Sequence, residues 1–268
     1  MHPVPDTVPV ADRRGRGPAV VLLHGQPGSA ADWRAVVALL EADFTVIAPD
    51  RPGYGRTGGQ AVGFAANAAA VIALLDELGL HQAVVAGHRW GGGVALALAE
   101  GDPDRVAGLV LAASVDPSEP VGHLDRLLAA PAVGDAVTAI GFAVTGRALA
   151  SRRVRALVER RLASPARDAL ASLAGQGGRR SLGRSFLAEQ RALVRELPGL
   201  AAGLASVRAP TVVLNGTADH VVPPASGRRL AAAIPGAVLV TVAGAGHLLP
   251  HDHPREVAAA ILQVATGT

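Results

Sequence analysis

The chain has 268 residues, half of them hydrophobic, enough to bury one large core that carries an insertion. All 25 basic residues are Arg, with one Tyr and no Cys, so almost nothing titrates between the histidines and the arginines; the pI of about 10.7 accompanies a net charge of only +3 and does not mark a nucleic-acid binder. The lack of Cys excludes disulfides and thiolate metal sites, no apolar run is long enough to predict a membrane span, and no leader pattern opens the chain at Met1-His2-Pro3-Val4-Pro5, so a cytoplasmic protein is expected.

Ala19–Leu23 and 44–48 are short β-branched-rich runs followed by Gly and Pro, with a segment of helical length, 31–40, between them. A helix is predicted near 64–78, where Phe64, Ala68, Val71, Ile72, Leu75 and Leu78 share one face. A buried strand at 82–86, a helix from Gly91 to Ala99 and a strand at 106–112 follow. From about Pro117 to Gly199 the strand pattern stops and Ala, Leu and Arg take over, which predicts a helical insertion. That stretch, 117–200, holds 13 Arg against seven acids, so it carries +6 and the rest −3, a balance suited either to an acidic substrate or to a solvated arginine face. Strands return at 211–214 and 238–242, with helices near 226–234 and 255–264. Repeated strand–helix units predict an α/β fold: a mostly parallel sheet with helices on both faces, and ligands at the carboxyl ends of its strands. The expected division is core 1–116, helical lid 117–200 and core again 201–268.

One position governs the chemistry. Gly87-His88-Arg89-Trp90-Gly91 lies between a strand and a helix with small residues two places before and after its centre, the pattern of a sharp turn that presents a nucleophile. Its central residue is Arg89. A guanidinium stays protonated at any working pH, so it is neither nucleophile nor base, and its natural use is to hold an anion. Three further segments follow strands: His24-Gly25-Gln26-Pro27-Gly28-Ser29, the run from Asn215 to Pro223 with Asp219, and Gly246-His247.

These segments, together with Asp50-Arg51-Pro52-Gly53-Tyr54-Gly55-Arg56, resemble the α/β-hydrolase superfamily, especially small-lid members with a Gly-His-Ser-Trp-Gly-Gly elbow. The resemblance covers residues 18–116 and 205–266; because only about 18 residues precede the first clear strand, the family's antiparallel edge strands are expected to be short or missing. It implies that His247 is a general base, that Asp219 orients it, and that the backbone N–H groups of Gln26 and Trp90 form an oxyanion hole. It implies no metal and no cofactor. With Arg89 in the nucleophile's place only a His–Asp dyad carries over. His24, Ser114 and Asp116 are candidate pocket-lining residues, Asp116 also as a substitute acid, while Asp50 and Arg51 are expected to hold the turn at Pro52-Gly53.

The expectation is therefore a non-hydrolytic enzyme acting without a cofactor on a small, anionic or anion-forming organic molecule, with His247 as base and Arg89 as anion clamp. The reaction would be a cyclisation, C–C bond formation, elimination, isomerisation or decarboxylation. Two alternatives stay open: a binding protein that has lost turnover, with Arg89 filling the cavity against Asp219, and a hydrolase in which His247 activates water. Nucleic acid and membrane are not expected as partners, and the sequence does not specify the oligomeric state.

Overall fold

The computed structural model describes residues 8–150 and 179–267. Seven strands form one sheet: β1 (Ala11–Arg14), β2 (Ala19–Leu23), β3 (Thr45–Pro49), β4 (Ala83–His88), β5 (Val106–Ala112), β6 (Thr211–Gly216) and β7 (Val238–Val242), in the spatial order β1-β3-β2-β4-β5-β6-β7. β1 alone runs antiparallel, pairing Ala11 with Pro49 and Arg14 with Val46; every other pairing is parallel. The expected shortening at the front is thus a single four-residue edge strand.

β2 to β6 are buried along their whole length or nearly so, because a parallel sheet needs crossover helices and these cover both faces. On one face Phe64, Val71, Leu74 and Leu75 of α2 (Phe64–Glu77) and Val94 and Leu98 of α3 (Trp90–Gly101) pack with Val21, Leu23, Val85, Leu109 and Leu111. On the other, Val36 and Leu40 of α1 (Arg34–Leu40) meet Val20, Leu22, Val84, Val110 and Val212. The last helix (Pro254–Thr266) completes that layer. Pro254 suits its first turn, where an N–H would go unpaired, and Gly267 closes it at φ 71°. Its buried Val257, Ile261 and Val264 repeat at helical spacing, and each fully buried aliphatic of this size contributes about 2 kcal/mol.

Between β5 and β6 the described residues form α4 (His123–Ala129), α5 (Val133–Ala150) and α6 (Arg179–Gly203). The expected insertion falls here, and its part from 151 to 178 lies outside the described residues. α7 (Pro224–Ala233) and the short α8 (Leu249–Asp252) precede the last helix, which is α9. No described helix is long and apolar enough to cross a membrane. Strand order reverses between β2 and β4, and His24, Arg89, Asp219 and His247 lie in four separate loops at the carboxyl ends of the strands, the edge where such sheets bind ligands.

Candidate functional site

Arg89 sits between β4 and α3 at φ 49°, ψ −111°, a backbone conformation costly for any residue with a Cβ. The turn closes because its flanks are bare: a Cβ on Gly87 would strike the carbonyl of Gly91, and one on Gly91 would strike the carbonyls of Leu23 and His24. The Arg89 N–H donates to Ala112 O (3.1 Å), and its carbonyl accepts from the N–H groups of Gly92 (3.0 Å) and Val115 (3.2 Å), so the elbow is stitched to the end of β5. Trp90 is the first residue of α3, where the helix itself offers its N–H no acceptor.

The guanidinium turns toward the His24–Ser29 loop. Nη1 donates to the side-chain oxygen of Gln26 at 3.1 Å and approaches its carbonyl at 3.4 Å, while Gln26 Nε2 donates to Phe186 O of α6 at 2.9 Å. Nε and Nη2 of Arg89 have no acceptor among the described residues. Burial draws the guanidinium below its ordinary pKa, opposed by the charges of Asp125, Glu189, Tyr54 and Asp219. It remains a cation.

His247 stands on the loop after β7. Its Nδ1 lies 3.0 Å from Asp219 Oδ2, and Asp219 Oδ1 accepts from the N–H groups of Val221 (2.8 Å) and Val222 (2.9 Å). Burial would raise the Asp219 carboxyl, but the hydrogen bonds from His247, Val222 and Val221 outweigh it and hold the group below its usual range. The carboxylate therefore accepts, Nδ1 donates, and in the neutral ring Nε2 keeps its lone pair. That nitrogen is buried and has no hydrogen-bond partner among the described residues. His88 braces the backbone behind it: His88 Nε2 lies 2.9 Å from His247 O and the rings are 5.0 Å apart, while burial and the neighbouring His247 push the His88 ring down to about 3 and keep it neutral.

Comparison with known proteins decides the family. The model for the alpha/beta hydrolase fold matches residues 18–254. The chain belongs to the α/β-hydrolase fold family. Haloalkane dehalogenase 2 of Mycobacterium tuberculosis is 29% identical over 260 residues, covering 93% of this chain and 88% of that protein. Epoxide hydrolase B of the same species is 43% identical over 115 residues, 41% of this chain and 31% of that one. Among solved structures, a haloalkane dehalogenase from Bradyrhizobium elkani superposes with a TM-score of 0.75 at 26% identity, covering 100% of this chain and 98% of that one. A thermophilic esterase from Thermogutta terrifontis gives 0.72 at 25%, covering 95% and 91%.

Three residues expected at the edge of the site in this α/β-hydrolase-fold chain are engaged elsewhere. His24 accepts from Arg51 N–H at Nε2 (3.0 Å) and so donates from Nδ1 to Gly25 O (2.9 Å); burial and Arg51 hold it well below its usual pKa, and neither nitrogen is spare. Ser114 donates to Val115 O (3.0 Å) and packs under Gly92, leaving no room there for a Cβ. Asp116 accepts from Ser118 and from Arg229 Nε (2.9 Å), a pairing that removes it as a substitute acid; the carboxylate on His247 is that of Asp219. Gln26 is more than a backbone donor, since its side chain links Arg89 to α6.

Arg51 holds the turn at Pro52-Gly53 as expected, its carbonyl accepting from Tyr54 N–H (2.9 Å), and its side chain does more. It braces the Gln26 loop through His24 O (2.9 Å) and Gly25 O (2.8 Å), lies 4.6 Å from the Trp90 ring centroid, and ion-pairs with Glu189 of α6. Tyr54 O–H donates to the other Glu189 oxygen at 2.6 Å. Burial pushes the Glu189 carboxyl up, while Arg51 and the hydrogen bonds draw it back. Glu189 was invisible in the sequence because α6 reads as an ordinary amphipathic helix; its signal is a carboxylate flanked by Phe186, Leu187, Ala188 and Leu193. Asp50, by contrast, accepts from the N–H groups of Ala30 and Arg56 and holds the Arg56 guanidinium. Among the described residues no three His, Asp or Glu side chains converge as metal ligands would. A cavity of about 420 Å³ lies apart from the dyad, between Gly59–Ala61 and α6.

Proposed function

We propose that this chain is a cofactor-free acid–base enzyme acting on a small organic molecule, in which His247 takes a proton and Arg89 holds the oxygen on which negative charge collects. The observation that carries this reading is an imidazole tied to Asp219 at Nδ1 and unpartnered at Nε2 among the described residues, on a loop at the same carboxyl edge of the sheet as a fixed cation that stands at the centre of the elbow. A base must offer a lone pair, and His247 does so at Nε2. An oxyanion needs donors already in place, and Arg89 supplies two unspent nitrogens, with the N–H groups of Trp90 and Gln26 as further donors. Asp219 is committed to His247 and to two backbone N–H groups, which weighs against a site plugged by an Arg89–Asp219 pair. Cyclisation, C–C bond formation, elimination, isomerisation and decarboxylation each have a base-catalysed form that passes through such a stabilised anion.

A second reading keeps hydrolysis, with His247 activating water; it is favoured by the relatives named as a dehalogenase and an epoxide hydrolase. One experiment separates the two and also tests the dyad. The natural protein should neither hydrolyse simple esters nor be labelled by a serine-directed fluorophosphonate, whereas Arg89→Ser should gain labelling that a second change, His247→Ala, removes. Ester hydrolysis by the natural protein that Arg89→Ser does not increase would overturn the non-hydrolytic reading.

A further inference from the structure

Arg184, Leu187, Ala188 and Arg191 recur at i, i+3, i+4 and i+7 along α6, so they share one face of the helix, and all four line the cavity of about 420 Å³ between α6 and the 59–61 loop. Phe186 and Glu189 lie on the opposite face, where they meet Gln26 and Arg51. The helix therefore turns one side to the groups around Arg89 and the other to a separate space. Its volume falls within the range of about 300–1,000 Å³ usual for small-molecule pockets. Ala61, Leu187 and Ala188 give it an apolar wall, and its charged lining is Arg184, Arg191 and Asp135. Arg191 Nη2 donates to Asp135 Oδ2 (2.9 Å) and Nε to Ala129 O (3.3 Å), so the one acid matches this cation while Nη1 stays unspent. Arg184 is exposed and has no hydrogen bond or ion pair among the described residues. The two guanidiniums thus exceed the carboxylate by one positive charge. Residues 151–178, with six Arg against two acids, hold no excess of negative charge to cancel it.

We infer that this cavity is a second ligand site, separate from the His247–Asp219 dyad, and that it takes a monocarboxylate with a short aliphatic body. The planar fork of Arg184 matches the two oxygens of a carboxylate, Nη1 of Arg191 supplies a further donor, and the hydrocarbon part lies on Ala61, Leu187 and Ala188. One anionic charge balances the one unmatched cation. Because that cation is exposed, the charge pairing is screened by water and holds little by itself. Burial of the aliphatic body against the apolar wall supplies the rest, and this separates an organic carboxylate from an inorganic anion. The site stands whatever chemistry His247 performs.

Titration calorimetry on the full chain tests this with three probes: octanoate; octanamide, which keeps the aliphatic chain and lacks the charge; and inorganic phosphate, which keeps the charge and lacks the chain. Octanoate should bind at least tenfold tighter than either, and methyl NMR should show shifts at Ala61 and Ala188. Arg184→Gln should weaken octanoate binding about tenfold. Asp135→Asn frees Arg191 while keeping an oxygen for the Ala132 N–H (3.0 Å), and should tighten it. Opposite signs at two exposed side chains separate a binding role from damage to the fold. His247→Ala should leave octanoate binding unchanged. Octanamide or phosphate binding as tightly as octanoate, no loss in Arg184→Gln, no gain in Asp135→Asn, or a loss in His247→Ala overturns the inference.

Discussion

At position 89 the backbone and the side chain answer to different constraints. The turn demands a left-handed φ, which Arg89 itself adopts, and small neighbours, which Gly87 and Gly91 supply whatever the central side chain is. Gly91→Ala places a methyl group against the Leu23 and His24 carbonyls, backbone atoms held in β2 and its loop, so it should cost about 3 kcal/mol. The measurement is a denaturant titration, with Gly101→Ala as control: nothing lies within 4 Å of a Cβ there, and no loss is expected. An equal loss in both would show that the elbow is not packed as described. The residue types of this turn were legible in the chain because the geometry is local. The direction of the guanidinium was not, because its partner Gln26 is 63 positions away.

Among the elements, α6 is the one whose role departs furthest from its sequence. Ser185 O–H donates to Gly53 O (2.7 Å), Phe186 O accepts from Gln26, Glu189 holds Arg51 and Tyr54, and Glu196 accepts from Phe64 N–H (2.7 Å). Together these tie one helix to the Gln26 loop, to the 50–54 turn and to the start of α2. Glu189→Leu strands a buried Arg51 charge, and breaking a buried pair from one side should cost about 3–5 kcal/mol in chemical denaturation. Changing Arg51→Met in the same chain should recover most of that loss, since no lone charge then remains. If the double variant is as unstable as the single one, packing rather than charge explains the effect. Strand and helix boundaries were largely readable, as at 19–23 and 106–112, where burial on both faces leaves long apolar runs.

For the whole molecule, two buried groups shape stability against pH from opposite sides. Asp32 is pushed from 3.8 up to about 7, chiefly by burial, with the Ser29 N–H and Arg51 opposing and Asp50 reinforcing; His251 lies 3.8 Å away. Between about 4 and 7 the folded chain keeps a proton that the unfolded chain has released, so this group makes stability fall as pH rises through that window. His88 works in the other sense. Its value drops from 6.5 to about 3, so between those limits the unfolded chain binds the proton that the fold refuses, and stability falls on acidification. Melting curves should show Asp32→Asn losing the decline toward neutral pH and His88→Gln losing part of the decline toward acid. Unchanged slopes in both variants would mean that neither group is buried as described.

The order of strands and helices, the small-residue elbow, the arginine at its centre and the two loops bearing Asp219 and His247 were all legible in the chain alone. Each depends on residue type and near-neighbour spacing. Only the folded molecule decided that Asp116 pairs with Arg229, that Arg51 meets Glu189, that Arg89 leans on Gln26, and that His247 Nε2 is left without a partner among the described residues. A charged side chain chooses among partners that lie far apart in the chain by burial and geometry, and neither quantity exists until the sheet has brought those loops to one edge.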